Sequence, residues 1–295
     1  MTENRRLTTI KKMRKLKIIL EMIKFEHTVF ALPFAVMSAF IASDGFPPLP
    51  KLGWILVAMV GARSCAMAFN RLADAEIDGI NPRTAMRAIP AGLITKGAVW
   101  SFTIISAGLL VFAAWRLNPL AFALSPVALA VVMGYSYTKR FTAFSHFWLG
   151  LALSISPVGA WIAIQGNFAL PPIILCCVVL LWTAGFDIIY ACQDVSFDRK
   201  HGLHSIPAKI GIRWALWLSS ALHVIAVLLL LGIPYLVELG LFYYIGVGIV
   251  VLIFIYEHAI VKPTDLSRVN LAFFTLNGVI SLVLMALSIA DILLL

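Results

Sequence analysis

The stretch "FNRLADAEIDGINPRTAMRAIPAG", residues 69–92, sets Asn70, Asp74 and Asp78 at four-residue intervals at the end of an apolar run. At about 100° per residue these three positions fall within an arc of roughly 80°, so a helix carried through them shows its amide and carboxylates on one face. A loop rich in turn formers and base follows, with Arg83 and Arg87 four residues apart. A second stretch, "FDIIYACQDVSFDRKHGLHSIPAKIG" at residues 186–211, has the same order of acid before base. There Asp187, Asp194 and Asp198 share a face within roughly 40°, with Tyr190 close to it. The segment "SIPAKIG" of the second loop parallels "AIPAGLI" of the first. Either acidic face alone reads as a solvated helix end. Two in matching slots, each backed by a basic loop, read as one site.

Carboxylates near a bilayer are costly unless they face a polar interior and are paired or metal-bound. Six carboxylate or amide groups converging on one cavity repel one another unless cations lie between them. Oxygen donors with room for water suit Mg²⁺, which takes one or two carboxylates and completes its shell with phosphate oxygens. Arg83, Arg87 and Lys139 supply the complementary grip on phosphate. Together these groups describe a diphosphate site. Tyr135 and Lys139 in "YSYTKR" are i, i+4 neighbours facing the same side. Arg63, inside an apolar run and on nearly the same face as Asn70, needs an anionic partner: an aspartate of the cluster or a substrate carboxylate. His27, His146, His223 and His258 make no metal spacing and read as structural.

The elements that must position these groups are membrane helices. Only 13% of the 295 residues are charged and 61% are hydrophobic, against about 25% charged in a soluble domain. Apolar runs of the roughly 20 residues that cross a bilayer fall near 27–44, 53–72, 98–115, 120–137, 146–164, 171–191, 213–233, 239–257 and 271–293. The expected fold is therefore all-α and integral to the membrane. Nine helices surround a central cavity, as two four-helix repeats plus one helix. Residues 1–26 form a basic segment placed in the cytoplasm by the positive-inside rule, and 27–295 form the intramembrane domain. Of the 23 Lys and Arg only Lys51 and Arg116 fall in the outer loops, which puts both acidic faces on the cytoplasmic side. The net charge of +9 then faces anionic lipid rather than nucleic acid. Trp115, Trp148, Trp161 and Trp214 read as interfacial anchors. The four cysteines lack metal spacing and read as small apolar residues.

"NRLADAEID" resembles the first aspartate-rich motif of the UbiA superfamily of intramembrane prenyltransferases, and "DIIYACQDVSFD" resembles the second. The likeness runs on through "NPRTAMRAIPAG" and "YSYTKR", departing at Arg71, where many members carry Asp. It implies that Asn70, Asp74, Asp78, Asp194 and Asp198 hold Mg²⁺ on the diphosphate of a polyprenyl donor. It implies further that Arg83, Arg87 and Lys139 neutralise that diphosphate, and that Tyr190 and Asp187 border the allylic cation, with Asp187 an acceptor for the aromatic proton. Arg63 matches a position that meets an acceptor carboxylate. The expected activity is transfer of a polyprenyl group to an aromatic carboxylate, 4-hydroxybenzoate first and a dihydroxynaphthoate of menaquinone synthesis second, in a bacterial inner membrane. An ion-coupled carrier is the alternative from another class, since intramembrane acids and repeats are also carrier features.

Overall fold

A chain this apolar has to satisfy its backbone groups internally, and in lipid that leaves helices or a closed barrel. The computed structural model describes residues 18–23 and 25–294, with residues 25–27 as backbone only. Most of the basic N-terminal segment and the His27 side chain thus lie outside the described residues. Among the described residues no strand forms, and the chain folds as helices α1 (Leu32–Ser43), α2 (Leu49–Ala73), α3 (Lys96–Leu117), α4 (Pro119–Thr138), α5 (Ser145–Gln165), α6 (Leu170–Ala191), α7 (Ile212–Gly232), α8 (Leu241–Ile260) and α9 (Asn277–Leu294). The last eight, α6 and α9 with their flanking turns, are long and apolar enough to cross a membrane. The nine expected runs are all present, the first as a shorter apolar helix.

That shortening has a cause. Pro33 sits at the start of α1, and a 3₁₀ turn, Phe25–Phe30, takes the place of its first turns. Proline has no N–H to give the carbonyl four residues back. The Val29 carbonyl instead accepts a hydrogen bond from the Ser281 hydroxyl of α9 at 2.7 Å. Ser156 of α5 donates to the Ala31 carbonyl at 3.2 Å, and Ser38 of α1 donates to the Pro157 carbonyl at 2.7 Å. Short hydroxyl side chains thus fasten α1 to its neighbours inside the membrane.

The solid core lies in the second half of the chain. Phe34 and Met37 of α1 pack with Trp182 and Phe186 of α6, Tyr243 and Val247 of α8, and Leu284 of α9. A polar chain crosses it: Trp182 Nε1 donates to Asn277 Oδ1 at 2.5 Å, and Asn277 Nδ2 to Glu257 at 3.4 Å. The helices of the first half leave room between α2, α3, α4 and α5, lined by small residues such as Ala58, Ala62, Ala128 and Gly159.

Close packing of α5 on α6 depends on Gly150, where an added Cβ would lie 2.4 Å from the Leu180 carbonyl oxygen. Backbone cannot yield as a flexible side chain does. Gly150→Ala should cost about 1–3 kcal/mol and lower the melting temperature in detergent, whereas Gly159→Ala, with nothing within 4 Å, should leave it unchanged or raise it. Equal melting temperatures would show that α5 and α6 are not held this closely.

Candidate active site

The two acidic faces are built alike. Asp74 (φ −91°, ψ 3°) joins α2 to a short helix, Ala75–Ile80, and Asp194 (φ −102°, ψ 6°) joins the end of α6, through a 3₁₀ turn, to Val195–Lys200. Each aspartate takes the bridge region of backbone space at a bend in the helix. The helix therefore does not run straight through the motifs as even spacing supposes. The ladder survives the first bend, with Asp74 N–H on the Asn70 carbonyl at 2.9 Å and Asp78 N–H on the Asp74 carbonyl at 2.7 Å. Asp78 and Asp198 thus lie one turn beyond Asp74 and Asp194, both buried.

The basic loops fold back over these faces. Asn81 precedes Pro82 and is held extended; its side chain accepts the Arg83 N–H at 2.9 Å, an Asx turn. Arg83 is thereby sent across to the second half. Its Nε and Nη2 donate to the two oxygens of Asp194 at 3.1 and 2.6 Å, and Nη1 to the Tyr190 hydroxyl at 2.8 Å. Burial works against the Arg83 charge, but the bonds to Asp194 and the nearby Tyr190 outweigh it and hold the guanidinium pKa above its usual value. Arg87 donates to both oxygens of Asp78 at 2.7 and 2.8 Å. Lys139 and Arg140 stand 3.6 and 3.5 Å from Asp74. Asn70 donates to Asp74 at 3.1 Å, and Ser205 donates to Asp198 at 2.7 Å.

All twelve residues expected from the sequence line one chamber of about 250 Å³: Arg63, Asn70, Asp74, Asp78, Arg83, Arg87, Tyr135, Lys139, Asp187, Tyr190, Asp194 and Asp198. Phe30, Phe186 and Phe273 supply its apolar wall, with the Phe273 ring 4.3 Å from that of Tyr190. Phe273 arrives there on a π-helical turn, Leu271–Leu276. A second cavity of about 320 Å³ runs from Arg63, Asn70 and Tyr135 along α2–α5 to Leu117 and Phe168, at the helix ends remote from the chamber. The two share Arg63, Met67, Asn70, Tyr135, Leu149 and Leu153, so charged chamber and apolar cavity adjoin across these side chains. Val127 and Phe168 on the second cavity's rim are more than half exposed on the helix surface.

The carboxylates do not gather into a closed metal centre: among the described residues no three His, Cys, Asp or Glu groups converge to hold an ion by themselves. The mutual repulsion expected of them is relieved by the protein's own cations. The donor set still fits a hard divalent ion. Asn70, Asp74, Asp78, Asp194 and Asp198 offer oxygen ligands around one chamber, and Asp74 Oδ1 is buried without a hydrogen bond.

Three features escape the sequence reading. His146, read as structural, lies with its Nδ1 2.7 Å from Asp187 Oδ2, a contact with the second acidic face that the sequence does not suggest. Arg71, noted only as a departure, is buried 3.9 Å from Asp78 and donates to Asn70 Oδ1 at 3.4 Å. Arg140 reads as a loop base yet approaches Asp74 and donates to the Ala73 carbonyl. His146 lies far in sequence from both motifs, and only packing of α5 on α6 reveals it.

The sequence matches the family described as "UbiA prenyltransferase family" over residues 31–279. A protein named 4-hydroxybenzoate octaprenyltransferase from Vibrio parahaemolyticus serotype O3:K6 is 30% identical over 247 residues, 83% of this chain and 86% of that one. Among solved structures, a UbiA homolog from Aeropyrum pernix K1 superposes with a TM-score of 0.83 at 34% identity, covering 91% of this chain and 98% of the other. A UbiA homolog from Archaeoglobus fulgidus bound to DMAPP and Mg²⁺ has the same fold at 21% identity, with a TM-score of 0.74 over 93% of this chain and 98% of its own.

Asp78 is 5% exposed and relies on Arg87. Arg87→Ala should lower stability by about 2 kcal/mol, read as a fall in melting temperature, and Asp78→Asn in the same chain should recover part of the loss by removing the stranded charge. An undiminished melting temperature in Arg87→Ala would show that Arg71 alone compensates Asp78.

Proposed function

Because the chain belongs to the UbiA prenyltransferase family, an enzyme family rather than a carrier, we propose that it moves a polyprenyl group from polyprenyl diphosphate to the ring of an aromatic carboxylate, most specifically 4-hydroxybenzoate. The observation that carries this reading is the charged chamber lying directly against the apolar cavity, with six residues lining both. A diphosphate with a long apolar tail needs both, in that order, and a freely soluble substrate needs neither. The name of the Vibrio relative supports the choice of acceptor.

In this reading Asn70, Asp74, Asp78, Asp194 and Asp198 hold Mg²⁺, whose charge offsets that of the diphosphate. Arg83, Arg87 and Lys139 turn from their aspartates towards the phosphoryl oxygens and stabilise the charge that grows there as the allylic C–O bond breaks. The electron pair leaves with the diphosphate. Tyr190 and the Phe273 wall border the allylic cation. Arg63, where the two cavities meet, takes the acceptor's carboxylate and presents the ring. The new C–C bond forms at a ring carbon, and the proton displaced from it passes to Asp187. Residues 79–97 cover the chamber and keep out water, which would otherwise capture the cation. The chamber faces the cytoplasm across a bacterial inner membrane, and residues 27–295 form the prenyltransferase domain.

Purified protein in lipid, supplied with Mg²⁺, a polyprenyl diphosphate and labelled 4-hydroxybenzoate, should yield prenylated hydroxybenzoate by mass spectrometry. Chelation should abolish turnover and added Mg²⁺ restore it. Asp74→Ala and Asp194→Ala should each lower kcat by about 10²–10³-fold. Product from 1,4-dihydroxy-2-naphthoate alone would move the acceptor to the naphthoate, and failure to turn over any allylic diphosphate would refute the proposal.

A further inference from the structure

His146 is 3% exposed, at the start of α5, and has a partner on each ring nitrogen. Nδ1 lies 2.7 Å from Asp187 Oδ2. Nε2 lies 3.3 Å from the backbone nitrogen of Ile206. A backbone amide can only donate, so Nε2 is its acceptor, and the proton of the neutral ring sits on Nδ1, directed at Asp187.

Ile206 opens the short helix Ile206–Ile210, and a first-turn N–H has no acceptor within its own helix. The residue before it, Ser205, donates its hydroxyl to Asp198 at 2.7 Å. Consecutive residues of the second cytoplasmic loop therefore hold two acids of the second face, Ser205 directly and Ile206 through His146. The first loop has no such strap: its parallel segment reads Ala88-Ile89-Pro90, without a hydroxyl. The two repeats have diverged at this point.

We propose that His146 is the positioning residue for Asp187, fixing its carboxylate towards the reacting ring and making that orientation depend on the seating of the loop at Ser205-Ile206. The inference rests on the reading of Asp187 as acceptor of the ring proton. His146 does not itself take the proton, because its Nε2 lone pair is engaged by Ile206. Loss of the Nδ1–H leaves Asp187 free to rotate, which slows proton removal and leaves the grip on the diphosphate unchanged.

Two amide substitutions separate the contacts. His146→Asn keeps a donor near the position of Nδ1, and His146→Gln keeps an acceptor near that of Nε2. In the full-length protein in lipid, His146→Gln should lose about 10–100-fold in kcat with KM for the diphosphate unchanged, and a kinetic isotope effect with ring-deuterated acceptor should rise above that of wild type. His146→Asn should recover most of kcat and carry the smaller isotope effect. Equal kcat losses in the two variants without an isotope effect, or a loss expressed only in KM for the diphosphate, would reduce His146 to packing and overturn the inference. Asp187→Asn separates the two levels. If it is inactive while His146→Gln matches wild type, the positioning role fails alone; if it is fully active, the reading of Asp187 fails and the inference with it.

Discussion

Charge compensation at the edge of the bilayer governs this structure. Five aspartates stand around one chamber at the ends of apolar helices, where an unpaired carboxylate has neither bulk water nor lipid to accommodate it. Each of the five meets a partner outside its own motif: Arg87 for Asp78, Lys139 and Arg140 for Asp74, Arg83 for Asp194, the Ser205 hydroxyl for Asp198 and His146 for Asp187. The loops are folded to deliver those partners. The Arg83 contact also joins the halves, since it starts from the loop after α2 and ends on the acid after α6. Under the proposed function such pairs are exchangeable, because a diphosphate with its metal would offer each side an equivalent partner of opposite sign.

The two halves divide the remaining labour. Around α6 the side chains are large and interlocked, with Trp182, Phe186 and Tyr243 all but fully buried. Around α2–α5 they are small, and the space left over is the apolar cavity. The tightly packed half thus carries Asp187, Tyr190 and the π-helical turn of Phe273, and the roomier half carries the apolar cavity. Under the proposed function the first aims reacting atoms and the second takes a tail that needs little geometric precision.

Much of this was legible in the residues. Apolar run lengths located all nine helices, and the four-residue spacing of Asn70, Asp74 and Asp78 placed them on one chamber because the bend at Asp74 leaves the ladder intact. The bend itself was hidden, since even spacing presumes a straight helix. So was the shortened α1, where Pro33 marks a start that hydropathy ignores. His146 was passed over because pattern reading looks for partners nearby in sequence, and its partner Asp187 lies on the next helix. Mutual repulsion among the acids was the right physical problem. Arginine pairing as its answer emerged only once the loops were seen folded.

The hydrogen bond from Ser281 to the Val29 carbonyl ties the turn that leads into α1 to α9. A ribosome makes these elements in sequence and delivers them to the bilayer one after another. Val29 enters before its partner, with a carbonyl that Pro33 cannot satisfy, and Ser281 follows 252 residues later. In hydrocarbon such an orphan carbonyl costs several kcal/mol, a cost that the turn before α1 carries until α9 arrives. A chain released before residue 281 would hold both aspartate motifs with that carbonyl still unpaired.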